Sequence, residues 1–128
     1  MTFEGQYLTY AEYQVLGGSA IGEMPFNLLE FEARKRVDSR TYGRLKKLSN
    51  QIQEVKLCVN KLINVLKGYA ENDAKNKGVS SESIDGYSIT YINNIELTKA
   101  QKAEVKDIIE TYLDECKLND GTPYLYRG

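Results

Sequence analysis

Apolar residues recur at helical spacing over Gln51–Tyr69. At about 100° per residue, Ile52, Val55, Cys58, Val59, Leu62, Ile63, Val65, Leu66 and Tyr69 fall within an arc of about 160°. Gln53, Glu54, Lys56, Asn60, Lys61, Asn64 and Lys67 fill the rest of the wheel, and Leu57 is the only large apolar side chain off the stripe. One neighbouring helix covers a narrower seam than this. The pattern therefore predicts the central helix of a small bundle.

The elements around it carry their own start and stop signals. Thr9-Tyr10-Ala11-Glu12 fits a capping box that opens a short helix, and Gly17-Gly18 closes it. Ser19 to Met24 reads as a loop. Pro25 suits the first turn of a second helix, where its missing N–H leaves nothing unpaired. That helix is predicted to run to about Arg40, with Phe26, Leu29, Ala33 and Val37 on one stripe and Leu28 and Phe31 roughly opposite. Two apolar faces place it either inside the bundle or with one face against a partner. Ser49-Asn50 offers caps for the central helix, which is expected to fade into the polar stretch Ala70–Gly78.

From Val79 to Asn94 the period changes. Asp85-Gly86 is a two-residue hairpin signal, and Tyr87, Ile89 and Tyr91 alternate with Ser88 and Thr90 beyond it. Thr98-Lys99-Ala100-Gln101 is a second capping box. It is followed by Val105, Ile108, Ile109, Tyr112, Leu113 and Cys116, an amphipathic helix to about Lys117 that Asn119-Asp120-Gly121 ends. The predicted fold is thus mainly α: one domain over 1–128, a bundle of about four helices with a short β-hairpin at 79–94 before the last helix. An extended tail occupies 119–128.

Composition narrows the function classes. Hydrophobic content of 41% and charged content of 27% over 128 residues suit an ordinary globular domain. No apolar run reaches the ~20 residues a membrane helix needs, and the start MTFEGQYLTY lacks the pattern of a signal peptide, so cytoplasmic synthesis is expected. Cys58 and Cys116 both sit on apolar stripes and read as buried free thiols. With no histidine in the chain, the commonest general base and metal ligand is missing. Gly17-Gly18 lacks the spacing of a phosphate loop, and Asp107-Glu110 and Asp114-Glu115 read as solvated helix charge. No catalytic, cofactor or metal residues are therefore assigned. The ten tyrosines instead suggest a binding or assembly protein.

Charge is uneven. Residues 1–69 hold ten Lys/Arg against seven Asp/Glu, and residues 70–128 hold seven against eleven, a polarity that suits head-to-tail association of copies. Arg34, Lys35, Arg36, Arg40, Arg44, Lys46 and Lys47 form a basic run broken only by Asp38. It reads either as a solvated face or as a contact for nucleic acid or an acidic partner. The second reading gives the alternative function, a small helical DNA-binding regulator.

Five stretches, in order, give the chain a family likeness: TYAEYQVLGG; FEARKRVDSRTYGRLK, notably Ala33, Val37, Asp38, Thr41 and Arg44; EVKLCVNKLINVL; SESIDGYSITY over Ser81–Tyr91; and IIETYLDE with the terminal Leu125–Gly128. With these the chain resembles the small head–tail connector proteins, also called adaptor or head-completion proteins, of long-tailed phages and prophages of Gram-positive bacteria. The segment Tyr91–Thr98 and the insert KLNDGTPY depart from the pattern. The resemblance implies a structural protein of the virion neck, synthesised and assembled in the host cytoplasm. Its copies would form a ring, usually a dodecamer, beneath the portal protein, and would often be monomeric when isolated. Packaged DNA would pass through without sequence recognition, and the next head-completion or tail protein would dock on the ring. Tyr124, Leu125, Tyr126 and Arg127 would form a docking segment, the alternative being a tail folded back on its own bundle. The hairpin would line the channel or touch a neighbour, or else pack on its own core.

Overall fold

A computed structural model describes residues 5–17, 21–48, 50–76 and 97–125, with side chains except at 73–76. Among these residues four helices occur in order: α1 (Tyr10–Val15), α2 (Glu23–Thr41), α3 (Gln53–Asn76) and α4 (Lys99–Leu113), with a short 3-10 turn, Arg44–Lys47, between α2 and α3. The mainly helical bundle is as predicted. The hairpin expected at 79–94, with Asp85, Gly86, Tyr87, Ile89 and Tyr91, lies outside the described residues. Tyr126 and Arg127 do as well.

Both capping boxes form. Glu12 N–H donates to Thr9 Oγ1 and the Glu12 carboxylate accepts from Thr9 N–H; Gln101 and Thr98 repeat the arrangement at α4. Each such cap is worth about 1 kcal/mol. At the other end of α2, Tyr42 turns left-handed at φ 55° and Gly43 follows at φ 74°, so the Gly43 N–H reaches the Asp38 carbonyl at 3.0 Å.

The core sits on α3, which packs against both α2 and α4. Val55, Cys58, Val59, Leu62, Ile63 and Leu66 of the predicted stripe are buried. Ile52 precedes the helix and is exposed, and Val65 and Tyr69 are half-buried. Phe26, Leu29, Ala33 and Val37 of α2 and Val105, Ile109 and Leu113 of α4 complete the interior. On the opposite side of α2 Leu28 packs against this core, whereas Phe31 is 43% exposed. The second apolar face is therefore only half covered.

Several boundaries differ from the sequence reading, among them the start of α2, where Glu23 and Met24, expected in a loop, are already helical. Helix α3 does not fade at Ala70 but runs on to Asn76, because Ala70 continues the buried stripe and its polar neighbours are tolerated in a helix. Its start is Gln53, with the first turn closing on the Ile52 carbonyl, so Asn50 stands outside the cap position. Helix α4 stops at Leu113 rather than near Lys117.

Beyond α4 the described part of the expected extended tail, through Leu125, is a folded turn. The chain reverses through Asn119-Asp120-Gly121, with Gly121 at φ 89°. Leu118 N–H donates to Thr122 O at 2.8 Å, and Tyr124 N–H donates to Cys116 O at 2.9 Å, flanking a bridge between Lys117 and Pro123. This turn returns Tyr124 to the core, where it is 2% exposed, and Leu125 packs against it.

Candidate functional site

The N-terminal residues Gly5–Leu8 lie across α2, and its buried polar side chains hold them there. Gln6 Nε2 donates to Asn27 Oδ1 at 2.8 Å, and Tyr7 N–H donates to Glu30 Oε2 at 2.9 Å. The Tyr7 hydroxyl donates to the Asp38 carboxylate, and its ring lies 6.0 Å from the Arg34 guanidinium. Burial raises the Tyr7 hydroxyl, and the Asp38 carboxylate raises it further. Glu30 is fully buried, and burial pushes its carboxyl up to about 7; Arg34, with Nε 3.2 Å away, and the Tyr7 and Leu8 N–H groups pull in the other direction. The cluster ties a terminal segment to a helix, and sequence reasoning missed it. The one available signal was a carboxylate at position 30, one residue past Leu29 on the apolar side of the wheel.

Tyrosines mostly serve this interior. Tyr13 OH donates to Asn64 Oδ1 of α3 at 2.7 Å, and Tyr10 OH donates to the Ile21 carbonyl at 2.6 Å. Both rings lean on Phe26, with centroids 5.1 and 5.3 Å away. Tyr7, Tyr13 and Tyr124 are buried in the protein's own core, so tyrosine abundance is a weaker sign of an interface than composition suggested.

The basic run does not form one face, because seven cations spread over 34–47 point in several directions. Arg34 serves the Glu30 cluster and lies 5.4 Å from the Phe31 ring. Arg44 donates to the Tyr124 carbonyl at 3.0 Å, pinning the C-terminal turn, and stacks 5.2 Å over Tyr42. Lys46 and Lys47 are exposed on the 3-10 turn. Lys35, Arg36 and Arg40 point toward α4.

There they meet Lys102 and Lys106 around a cleft of about 640 Å³. Its floor is apolar: Leu97, Val105 and Ile109. Two acids partner the rim. Glu32 lies 3.8 Å from Lys35 and 3.7 Å from Arg36, while Glu110 takes Arg40 at 2.8 Å and Lys106 at 4.0 Å. Cations thus outnumber their paired carboxylates.

A second concavity, of about 300 Å³, lies between α1 and α3 and is lined by Leu8, Ala11, Val15, Leu16 and Leu57 with the Glu12–Lys56 ion pair beside it. Leu57, off the apolar stripe in the sequence, finds its place here, and Val15 is 87% exposed.

Of the docking residues expected in the tail, Tyr124 is a core residue, Leu125 is half-buried and the rest lie outside the described residues. Both cysteines are free and buried, as predicted. Among the described residues no helix is long and apolar enough to cross a membrane, and no group of three His, Cys, Asp or Glu side chains gathers to hold a metal. The chain matches no protein-family model, no curated protein and no solved structure.

Proposed function

We propose that the protein is a structural assembly module of the head–tail connector type. Copies stand side by side as a ring beneath a portal protein in the virion neck, DNA passes through the ring, and the next head-completion or tail protein docks on it. The observation that carries this reading is the ordered series of family-like stretches, because its residues occupy joints of the fold. Ala33 and Val37 are buried in the core, Asp38 accepts from Tyr7, Thr41 donates to the Val37 carbonyl at 2.9 Å, and Arg44 holds the C-terminal turn. The exposed apolar concavity beside Val15 and Leu16 further suits a protein that completes its burial within an assembly.

With Tyr124 in the core, the docking role falls to Leu125, Tyr126 and Arg127. Light scattering tests the whole reading. The purified chain is expected to be monomeric and to join a portal ring of the same genome in near one-to-one subunit ratio. A chain truncated after Tyr124 is expected to stay folded and lose that association. Unchanged association would remove the docking role from the last residues. No association of the full chain, together with duplex binding that weakens steeply with salt, would replace the connector reading with the DNA-binding regulator.

A further inference from the structure

We propose that the cleft between α2 and α4 is a docking site for an acidic protein segment that carries an apolar side chain. Two features of the cleft require both halves of that description. Its floor of Leu97, Val105 and Ile109 offers apolar surface, which only an apolar group fills without stranding polar atoms. Its rim carries Lys102 and Lys106 one helical turn apart on α4, facing the cations of α2. Like charges at that spacing repel each other. Glu110 pairs with Lys106 at 4.0 Å and Glu32 with Lys35 and Arg36, and among the described residues no ion pair is formed by Lys102. Carboxylates from outside would complete the rim.

The same chemistry argues against a nucleic acid as occupant. A phosphodiester backbone satisfies cations but has no apolar side chain for the floor. A volume of about 640 Å³ falls in the range of small-ligand clefts, large enough for a few side chains rather than a duplex edge. The cleft has this character whatever ring the protein joins, so the inference stands apart from the connector reading.

The probe is a fluorescein-labelled peptide of Asp and Glu residues around a central Leu-Phe pair, titrated with the full chain and followed by anisotropy. Saturable binding is expected. The double substitution Lys102→Glu and Lys106→Glu, on exposed positions that leave the fold intact by circular dichroism, is expected to weaken it by about ten-fold or more. Replacing the Leu-Phe pair by Gly-Gly is expected to weaken it comparably, as is Leu97→Ser in the protein. Binding that ignores the double substitution would overturn the proposal, as would equal affinity for the Gly-Gly peptide, which would reduce the site to diffuse attraction. A duplex DNA that binds with the same lysine dependence and displaces the peptide would assign the cleft to nucleic acid. The chain's own residues 78–96 hold Glu82, Asp85 and Glu96 and no Lys or Arg. If the peptide binds only after Glu82→Gln, Asp85→Asn and Glu96→Gln, the cleft belongs to that stretch and not to a partner.

Discussion

Helix α2 borders two seams of opposite character. Toward α3 it presents Leu29, Ala33 and Val37, each at most 1% exposed, in a packed and apolar interface. Toward α4 the contact is less extensive, and its side chains are Lys35, Arg36 and Arg40 around an open cleft tied across by the Arg40–Glu110 ion pair. Both seams are built from one helix with a 3.6-residue period, so a rotation of about 100° per residue separates a surface that stabilises from one that is left available. The first is closed by burial, which is worth roughly 25 cal/mol per Å². The second is spanned by a half-exposed charge pair worth about 0–1 kcal/mol.

The sharpest way to break this comparison is to open the packed seam. Leu29→Ala removes a side chain 1% exposed and is expected to cost about 2–5 kcal/mol in denaturant unfolding, while leaving peptide binding by the folded fraction unchanged.

An intermediate effect separates the buried polar cluster on α2 from both seams. The Glu30 carboxyl, ordinarily at 4.5, is raised to about 7 in the folded chain. Between those values the folded state keeps a proton that the unfolded state has released, so Glu30 lowers stability as pH rises from about 4.5 to 7 and contributes no further change above. The size is on the order of 3 kcal/mol. Unfolding measured across that interval is expected to show the decline in the native chain, and Glu30→Gln is expected to flatten it. An unchanged slope would assign the decline to other groups.

The smallest effect belongs to the open seam. Arg40→Ala is expected to change unfolding free energy by no more than about 1 kcal/mol, because Arg40 and Glu110 are both more than a third exposed. A loss as large as that of Leu29→Ala would show that the cleft is a structural joint after all.

How far these features are legible without coordinates depends on whether they are local. The stripes of α2, α3 and α4 and both capping boxes are set within a few residues, and apart from Ile52 and Cys116, which lie outside their helices, they appear where the pattern predicts them. The end of α3 escapes because polar residues 71–76 look like a stop signal, whereas Ala70 still has a buried face to fill. The C-terminal turn escapes for a related reason. Asp120-Gly121 reads as the end of a helix, yet the dipeptide also supports a reversal, and the burial of Tyr124 together with the long-range bond from Arg44 to its carbonyl decides between them. The cleft is invisible to any linear scan. Its cations come from positions 35–40 and 102–106, and the first group is diluted in a basic run of which Arg34 and Arg44 are engaged elsewhere and Lys46 and Lys47 are exposed. Glu30 is hardest of all, since a carboxylate in a core position is expected only when the partner that meets it, here the Tyr7 backbone, is already known.

The two buried thiols, Cys58 on α3 and Cys116 beyond the end of α4, lie at different depths. Cys58 is wholly enclosed, and burial pushes its thiol up to about 12, with Cys116 adding to the shift. Cys116 is 8% exposed at the foot of the C-terminal turn, raised by burial and by Glu54, with Sγ 3.9 Å from the Glu54 carboxylate. Reaction with an alkylating reagent requires the thiolate and access to it. Release of the turn alone uncovers Cys116, whereas Cys58 waits for α3 itself to part from its neighbours. The protein thus carries a native two-stage clock of its own opening, in which the order of modification distinguishes fraying of the chain end from loss of the bundle.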